Sequence, residues 1–280
     1  MRQQPTVSII TPTYNRAYVL GNAIDSVIKQ SYKDWELIII DDGSADKPKE
    51  LVQTFSDERI KYIYQKNAGP SAARNKGLSM ARGSWIAYLD SDNELYPNYL
   101  QVMFNWIRKN PRTLYTLPKV HKTLDLVKNG KTVKSIDVSD EDYPEKVTVK
   151  DIFRRKIHFD GNGFIHSRRI TEEGIFWDEN LMRMEEWEFA MRIANDFPNA
   201  FLYIPVVLMD YHQRFGGDGL VSNTTYEEWA EAFEHIYQKV RNFKLLEGQK
   251  WYPDRVKKYQ QLAKDYKEGK APAPYMRYFV

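Results

Sequence analysis

Residues 85–95 read WIAYLDSDNEL. The first five, Trp85 to Leu89, form an unbroken apolar run, and Asp90, Ser91, Asp92, Asn93 and Glu94 follow directly. A short continuous run of this kind fits a strand buried on both faces, as in a parallel sheet covered by helices. Its abrupt acidic end marks either a solvated loop or a place where something positive sits.

The upstream sequence repeats that grammar. VSIIT (7–11) and ELIIID (36–41) are β-rich runs, and IKYIYQ (60–65) is a third. Between them, Ala17–Gln30 places Leu20, Ala23, Ile24, Val27 and Ile28 on one helical stripe. Pro48–Phe55 reads as a short helix. A further helix runs to about Ala81, with Ser71 as its cap and Gly83 as its stop. Alternating strands and helices predict a parallel sheet with right-handed crossovers. Ligands of such sheets bind outside the carboxyl ends of the strands. Polar clusters fall at all four ends: Thr13, Tyr14 and Asn15; Asp41 and Asp42; Asn67 and Gly69; Asp90 and Asp92. Four convergent ends predict a site.

Beyond Pro97 the pattern changes. Asn98–Asn110 reads as a helix closed by Pro111, and 124–136 alternates around Asn129-Gly130, a two-residue hairpin signal. Residues 139–146 are acidic and loop-like, Val149–Arg155 fits a short helix, and 159–166 is glycine-rich and irregular. A helix with an acidic start covers Glu185–Asn195, and strands lie near 200–212. Helices near 225–242 and 253–268 finish the chain.

Composition sets the outer bounds. Charged residues make up 28% and hydrophobic ones 42%, the balance of a globular chain. With no cysteine, disulfide frameworks and thiolate metal sites are excluded, and a reducing compartment fits. The apolar run at Val7–Ile10 is short for a secretory leader, and none approaches the roughly 20 residues that span a bilayer. Residues 241–280 carry ten Lys/Arg against four Asp/Glu, a net of +6; the chain total is +3, so the remainder sums to −3. That imbalance is too weak to predict nucleic-acid binding. It would suit a solvated helical face or contact with an anionic membrane surface.

The acidic clusters limit the chemistry. No GxxxxGK[ST] or GxGxxG follows a strand, so phosphate-loop and dinucleotide readings are poor. As a calcium loop, 90–101 fails: its sixth position is Leu95 and its twelfth Gln101. An Asp-x-Asp at a strand end does suit Mg²⁺ or Mn²⁺ bridging carboxylates to substrate phosphates. Together with Asp41-Asp42 on a neighbouring strand end, it implies a nucleotide.

VSIITPTYNR, LGNAIDSVIKQSY, WELIIIDDGS, NAGPSAARNKGL and ARGSWIAYLDSDN, in that order over roughly residues 6–100, resemble the family-2 glycosyltransferases. The resemblance implies a GT-A fold: an α/β, Rossmann-like, mostly parallel sheet with helices on both faces, a small acceptor-side hairpin region and C-terminal helices. Residues 1–97 would form the nucleotide-sugar-binding half, 98–222 the acceptor-binding and catalytic half, and 223–280 a helical extension. It further implies a nucleotide-diphosphate-sugar donor, a UDP-sugar first among the candidates, a divalent cation, and inversion at the anomeric carbon.

Carried over position by position, Pro12, Thr13 and Tyr14 would hold the nucleobase. Asp42, with Asp41 beside it, would contact the base, and Arg74 the base or phosphate. Asp90 matches the ribose side of the motif and Asp92 the metal side; Asn67, Gly69 and Ser91 complete the donor set. For Gly69, Ala72 and Ala73, tight helix–sheet packing is the more direct reading. Downstream, GIFWDENLMRMEEWEFAMRI resembles the family stretch that carries the catalytic base. Glu186 stands there in place of the usual aspartate, with Glu185 as the alternate. YHQRFGGDGLVSN offers His212 near the metal or diphosphate, and Gly216, Gly217 and Gly219 suit a lid. Trp177, Trp187 and the stretch 160–163 could line a sugar subsite.

The resulting expectation is a hexosyl- or N-acetylhexosaminyl-transferase acting on a saccharide or lipid-linked saccharide. By analogy it works in surface polysaccharide or glycolipid biosynthesis, is cytoplasmic, and touches the inner membrane face through its basic end. A nucleotidyltransferase is the rival enzyme class, but TPTYNRAYVLG is not its glycine-rich basic loop. A non-catalytic nucleotide-sugar-binding partner of another transferase is the other rival.

Overall fold

A computed structural model describes residues 4–128, 131–138, 148, 151, 162–215, 224–243 and 251–271. The expected acidic loop at 139–146, the short helix at 149–155 (Asp151 apart), and the glycines at 216, 217 and 219 lie outside those residues. The chain divides into two compact units, Met1–His121 with Glu141–Tyr211, and Lys122–Asp140 with His212–Val280.

The first unit opens with β1 (Val7–Thr13), α1 (Ala17–Ile28), β2 (Trp35–Asp41), α2 (Pro48–Val52), β3 (Ile60–Tyr64), α3 (Pro70–Met80) and β4 (Trp85–Tyr88). It continues with β5 (Glu94–Leu95), α4 (Tyr99–Lys109), the start of β6 (Tyr115–Lys128), β8 (Ile165–Ser167), α5 (Arg169–Glu172), α6 (Glu185–Asp196) and most of β9 (Phe201–Phe215). In the sheet the order is β3-β2-β1-β4-β8-β6-β9-β5. The β1–β2, β2–β3 and β1–β4 pairs are parallel, whereas β8 runs antiparallel to β4 and to β6. Every residue of β2 is buried, the result of a strand with helices over both faces.

The two faces follow from the period of two along a strand. Ile9 and Ile39 share a core with Leu20, Ile24 and Val27 of α1 and with Leu100, Met103 and Phe104 of α4. Ile10 points the other way, onto α3: a Cβ on Gly77 would lie 2.4 Å from Ile10 Cγ2. Only glycine lets this helix come so close to the sheet.

Three elements went unseen in the sequence pattern. β5, β8 and α5 have two, three and four residues, too few to print a period. Ser71 is not a helix cap. α3 begins two residues earlier than a Ser71 cap implies, with Pro70 at its first position and Gly69 as N-cap, where proline's fixed φ and missing N–H cost nothing. The Ser71 hydroxyl instead donates to the Leu181 carbonyl at 3.5 Å. Glu94 is half-buried in β5, opposite Asp210.

The second unit contains the rest of β6, β7 (Lys131–Asp137), the end of β9, and the helices α7 (Tyr226–Val240) and α8 (Trp251–Lys267). Lys128 pairs with Lys131, so the expected hairpin closes over two residues. Thr225 caps α7 reciprocally with Glu228. Among the described residues no helix is long and apolar enough to cross a membrane.

His166 on β8 illustrates the interior of the first unit. It is fully buried, its Nε2 lies 2.9 Å from the Tyr88 hydroxyl and its Nδ1 2.8 Å from the Ser167 carbonyl. A neutral ring satisfies both, donating from Nδ1 and accepting at Nε2. Burial pushes its pKa down to about 4, against the pull of the Ser167 carbonyl. Between pH 6.5 and 4 the unfolded chain therefore binds a proton that the folded chain refuses, and stability falls as pH falls. The full loss is on the order of 3 kcal/mol. Urea unfolding at pH 7 and pH 4.5 should show most of that loss, and His166→Gln should lose less between the same two pH values.

Candidate active site at the carboxyl ends of the parallel strands

The first two strand ends are laced together by their own loops. Thr13 registers with Asp41, and the Asp42 amide donates to the Thr13 carbonyl at 2.9 Å. Asn15, with φ 51°, turns the chain after β1. Its amide donates to Ser44 Oγ, and its Oδ1 accepts from the Ala45 amide. Asp41 is buried, accepting from the Ser44 amide at 2.8 Å and from the Tyr62 hydroxyl. Burial, then the hydrogen bond to Asp41 and its charge, raise the Tyr62 pKa.

Asp42 organises the third strand end. Its Oδ1 accepts from Gln65 Nε2 at 2.7 Å and from the Ala68 amide at 2.9 Å, and its Oδ2 from the Gly69 amide at 2.8 Å. The Asn67 side chain donates to the Asp42 carbonyl. Three donors on one carboxylate hold it in a single orientation. Gly69 has φ +92°, and a Cβ there would sit 3.1 Å from Met182 Sδ. The positive φ calls for glycine, while the Met182 side chain, 51% exposed, could move aside for a Cβ. Tyr14 is half exposed beside these loops.

At the fourth strand end Asp90 meets an arginine. Its carboxylate accepts from Arg74 Nη2 at 3.0 Å and from Asn162 Nδ2 at 2.8 Å, while its amide donates to Asn162 Oδ1. Arg74 also reaches Glu185 Oε1 at 3.1 Å through Nη1 and Glu186 Oε1 at 3.5 Å through Nη2. Its Cζ lies 4.7 Å from the Trp177 ring centroid. Trp177 in turn stacks on Phe189 at 4.3 Å. Arg74 Nε is buried with no acceptor among the described residues. Burial opposes the guanidinium's charge, but Asp90, Glu186 and Glu185 outweigh it and raise the Arg74 pKa. One buried cation thus joins the Asp-x-Asp motif to the candidate base pair.

The two glutamates differ in access. The Glu185 side chain is 7% exposed and Glu186 20%. Both open α6, directly after Met184 at φ 60°. A helix start favours negative charge, so their placement there is inexpensive.

Asp92 carries its own cation: Arg16 Nη1 lies 2.7 Å from its Oδ2, both side chains well shielded. Ser91 and Asn93 beside it are buried. His212 falls in the second unit, where its Nδ1 lies 3.0 Å from Thr123 Oγ1 and 3.1 Å from Asp125 Oδ2. Trp177 and Trp187 are buried, so Trp177 serves as a floor beneath Arg74 and not as an open sugar platform. Asp160 lies outside the described residues.

Among the described residues no three His, Cys, Asp or Glu side chains are grouped to hold a metal ion. The oxygen donors of Asp90 and Asp92 nonetheless fit Mg²⁺ or Mn²⁺, which often bind through one or two carboxylates plus substrate phosphates. The residues fit a cation that arrives with a diphosphate, not one caged by protein alone. The sequence marks Asn162 only as part of the stretch 160–163, and it does not mark Arg16. Nothing local marks their pairings, because the partners are 72 and 76 residues away.

Comparisons with known proteins show the family and the fold. The model of the family described as "Glycosyl transferase family 2" matches residues 8–176. A glycosyltransferase of Rickettsia conorii is 39% identical over 131 residues, 46% of this chain and 21% of that protein. The Escherichia coli UDP-Glc:alpha-D-GlcNAc-diphosphoundecaprenol beta-1,3-glucosyltransferase WfgD is 43% identical over 105 residues, 37% of this chain and 42% of that one. This chain therefore spans less than half the length of either relative. Among solved structures, Staphylococcus aureus TarS 1–349 in complex with UDP-GlcNAc superposes with a TM-score of 0.69 at 20% identity, over 91% of this chain and 71% of that one. The mannosyltransferase of Pyrobaculum calidifontis in complex with GDP-Man and Mn²⁺ gives 0.61 at 15% identity, over 99% and 79%. At these identities the structures share the fold.

Proposed function

The chain belongs to glycosyl transferase family 2, and from that membership we propose that it is a metal-dependent inverting glycosyltransferase using a nucleotide-diphosphate sugar. The observation that carries the reading is the Arg74 node. It places Asp90, at a parallel strand end, and the Glu185–Glu186 pair around one guanidinium. On this reading a donor site and a base lie within one side chain's reach.

In this reading the loops after β1, β2 and β3 bind the nucleoside, through Pro12, Thr13, Tyr14, Asp42, Asn67 and Gly69. Asp90 and Ser91 lie on the ribose side. Asp92 would hold Mg²⁺ or Mn²⁺, which when bound neutralises charge on the leaving diphosphate. Glu186, the more accessible of the pair, takes the proton of the acceptor hydroxyl. That oxygen bonds to the anomeric carbon from the face opposite the diphosphate, the carbon–oxygen bond to phosphate breaks, and the configuration inverts. Glu185 orients Arg74.

The E. coli relative's named acceptor is a diphosphoundecaprenol-linked sugar. By that likeness the acceptor here is a saccharide or lipid-linked saccharide of surface polysaccharide or glycolipid synthesis. The setting would then be the cytoplasmic face of the membrane, with the basic C-terminal region at the lipid surface. A panel of UDP- and GDP-sugars with candidate acceptors, scored for released nucleoside diphosphate with Mn²⁺ or with chelator, tests the whole. Turnover should require the metal, and Asp92→Ala should lower it on the order of 10²-fold, the scale of one lost electrostatic group at a transition state. Turnover indifferent to both chelator and this substitution would end the metal assignment.

A further inference from the structure

Both ends of the Asn162 side chain go to one residue. Its Nδ2 donates to the Asp90 carboxylate at 2.8 Å, and its Oδ1 accepts from the Asp90 amide at 2.7 Å. An amide does both because it carries a donor and an acceptor in one plane. The turn that presents it is itself tied down. The Gly163 amide donates to the Tyr88 carbonyl at 3.2 Å, and the Gly163 carbonyl accepts from the Tyr99 hydroxyl at 3.0 Å. The Phe164 carbonyl accepts from the Tyr88 amide. Asn162 is 3% exposed, so it meets a ligand only through Asp90. The Asp90 side chain, by contrast, is 25% exposed.

Arg74 alone would not settle that carboxylate. It holds one oxygen, Oδ1, at 3.0 Å, and the terminal torsion of an aspartate is soft and roughly two-fold. Asn162 takes the other oxygen, Oδ2. Two anchors on two oxygens fix the plane, and each oxygen keeps acceptor capacity on a group that still meets solvent. We propose that Asn162 is a positioning residue for ribose recognition. It locks Asp90 in the plane from which the carboxylate accepts a ribose hydroxyl, and so sets the preference for ribo- over deoxyribonucleoside diphosphates. The inference rests on the ribose-side reading of Asp90 given above. It adds that this selectivity depends on a residue 72 positions further along the chain, in the turn before β8. Without that anchor the carboxylate still accepts hydrogen bonds, but in no fixed direction, so a correctly placed hydroxyl loses its advantage over water.

The test is calorimetric titration of the full chain, in excess Mn²⁺ at neutral pH, with UDP, GDP and the 2′-deoxy and 3′-deoxy forms of each. Wild type, Asn162→Ala and Asn162→Asp are compared. Wild type should bind one of the ribonucleotides roughly 10- to 100-fold tighter than one of its deoxy forms, the scale of a hydrogen bond to a charged group. Asn162→Ala removes both contacts to Asp90 and should lose most of that ratio, chiefly by weakening the ribonucleotide. Asn162→Asp keeps the shape and the acceptor for the Asp90 amide but has no donor for the carboxylate, so it should lose the ratio as well. A residue that merely ties the turn to β4 would lower the melting temperature and leave the ratio unchanged. Thermal melting therefore accompanies each titration, and the isosteric aspartate form carries the test where the alanine form is unfolded. A ratio retained in either folded variant overturns the role of Asn162 and leaves the donor-site reading standing. Loss of the fold in both variants does the same. Ribo and deoxy forms bound alike by wild type overturn the ribose role of Asp90, and the inference with it. No nucleoside diphosphate bound by wild type overturns the donor site itself.

Discussion

Glu186→Gln is expected to lower turnover about 10²- to 10⁴-fold, the cost of removing an essential general base, while the chain stays folded and still binds nucleotide. The amide keeps the shape of the carboxylate but cannot take the acceptor's proton. The position tolerates the change because its side chain is 20% exposed and its contact to Arg74, at 3.5 Å, is the longest of the three. Glu185→Gln should behave in the opposite way. Glu185 is buried and lies 3.1 Å from Arg74, so its loss should show first as a lower melting temperature and only then in rate. The competing account is that both acids merely favour the start of α6. Steady-state kinetics and melting of the two variants separate these readings. Near-wild-type turnover in Glu186→Gln would remove it as the base, and a rate collapse confined to Glu185→Gln would exchange the two roles.

Arg74→Met should be among the most destabilising single substitutions in the first unit. Its side chain is 3% exposed and faces Asp90, Glu185 and Glu186, so its removal leaves carboxylates around an uncharged centre. Breaking a buried pair from one side typically costs about 3–5 kcal/mol. Asp90 and Glu186 are partly solvated, which argues for the lower end, about 3 kcal/mol. For a chain of this size that corresponds to a fall in melting temperature of roughly 10 °C. Arg74→Lys should recover only part of it, since one ammonium cannot fork between Asp90 on one side and Glu185 on the other. Activity should fall in both variants. Melting within a couple of degrees of wild type for Arg74→Met would show that the node does not hold the site together.

The parallel half of the fold was legible in the sequence because its evidence is local. Val7–Ile10, Leu37–Ile40 and Ile86–Leu89 are apolar runs that stop at acids or polar turns, and the α1 stripe repeats at helical spacing. The positions of Asp42, Asp90, Asp92 and the glutamate pair could also be read, since strand ends and a helix start are local features. The short strand β8 could not. Its three residues carry no period, and it becomes a strand by pairing with β4 on one side and β6 on the other.

What the sequence by itself determined was an alternating α/β chain whose polar residues gather at strand ends, because burial on two faces forces apolar runs and exposed ends release them. Which charges meet was decided only by the tertiary structure. The order β3-β2-β1-β4 makes β1 and β4 neighbours, and that alone brings Arg16 to Asp92 across 76 residues of chain. The insertion of β8 beside β4 brings Asn162 to Asp90. The docking of the segment before α6 onto α3 brings the glutamates to Arg74. Hydrophobic periodicity is written into every element separately. An ion pair needs two elements and the topology between them.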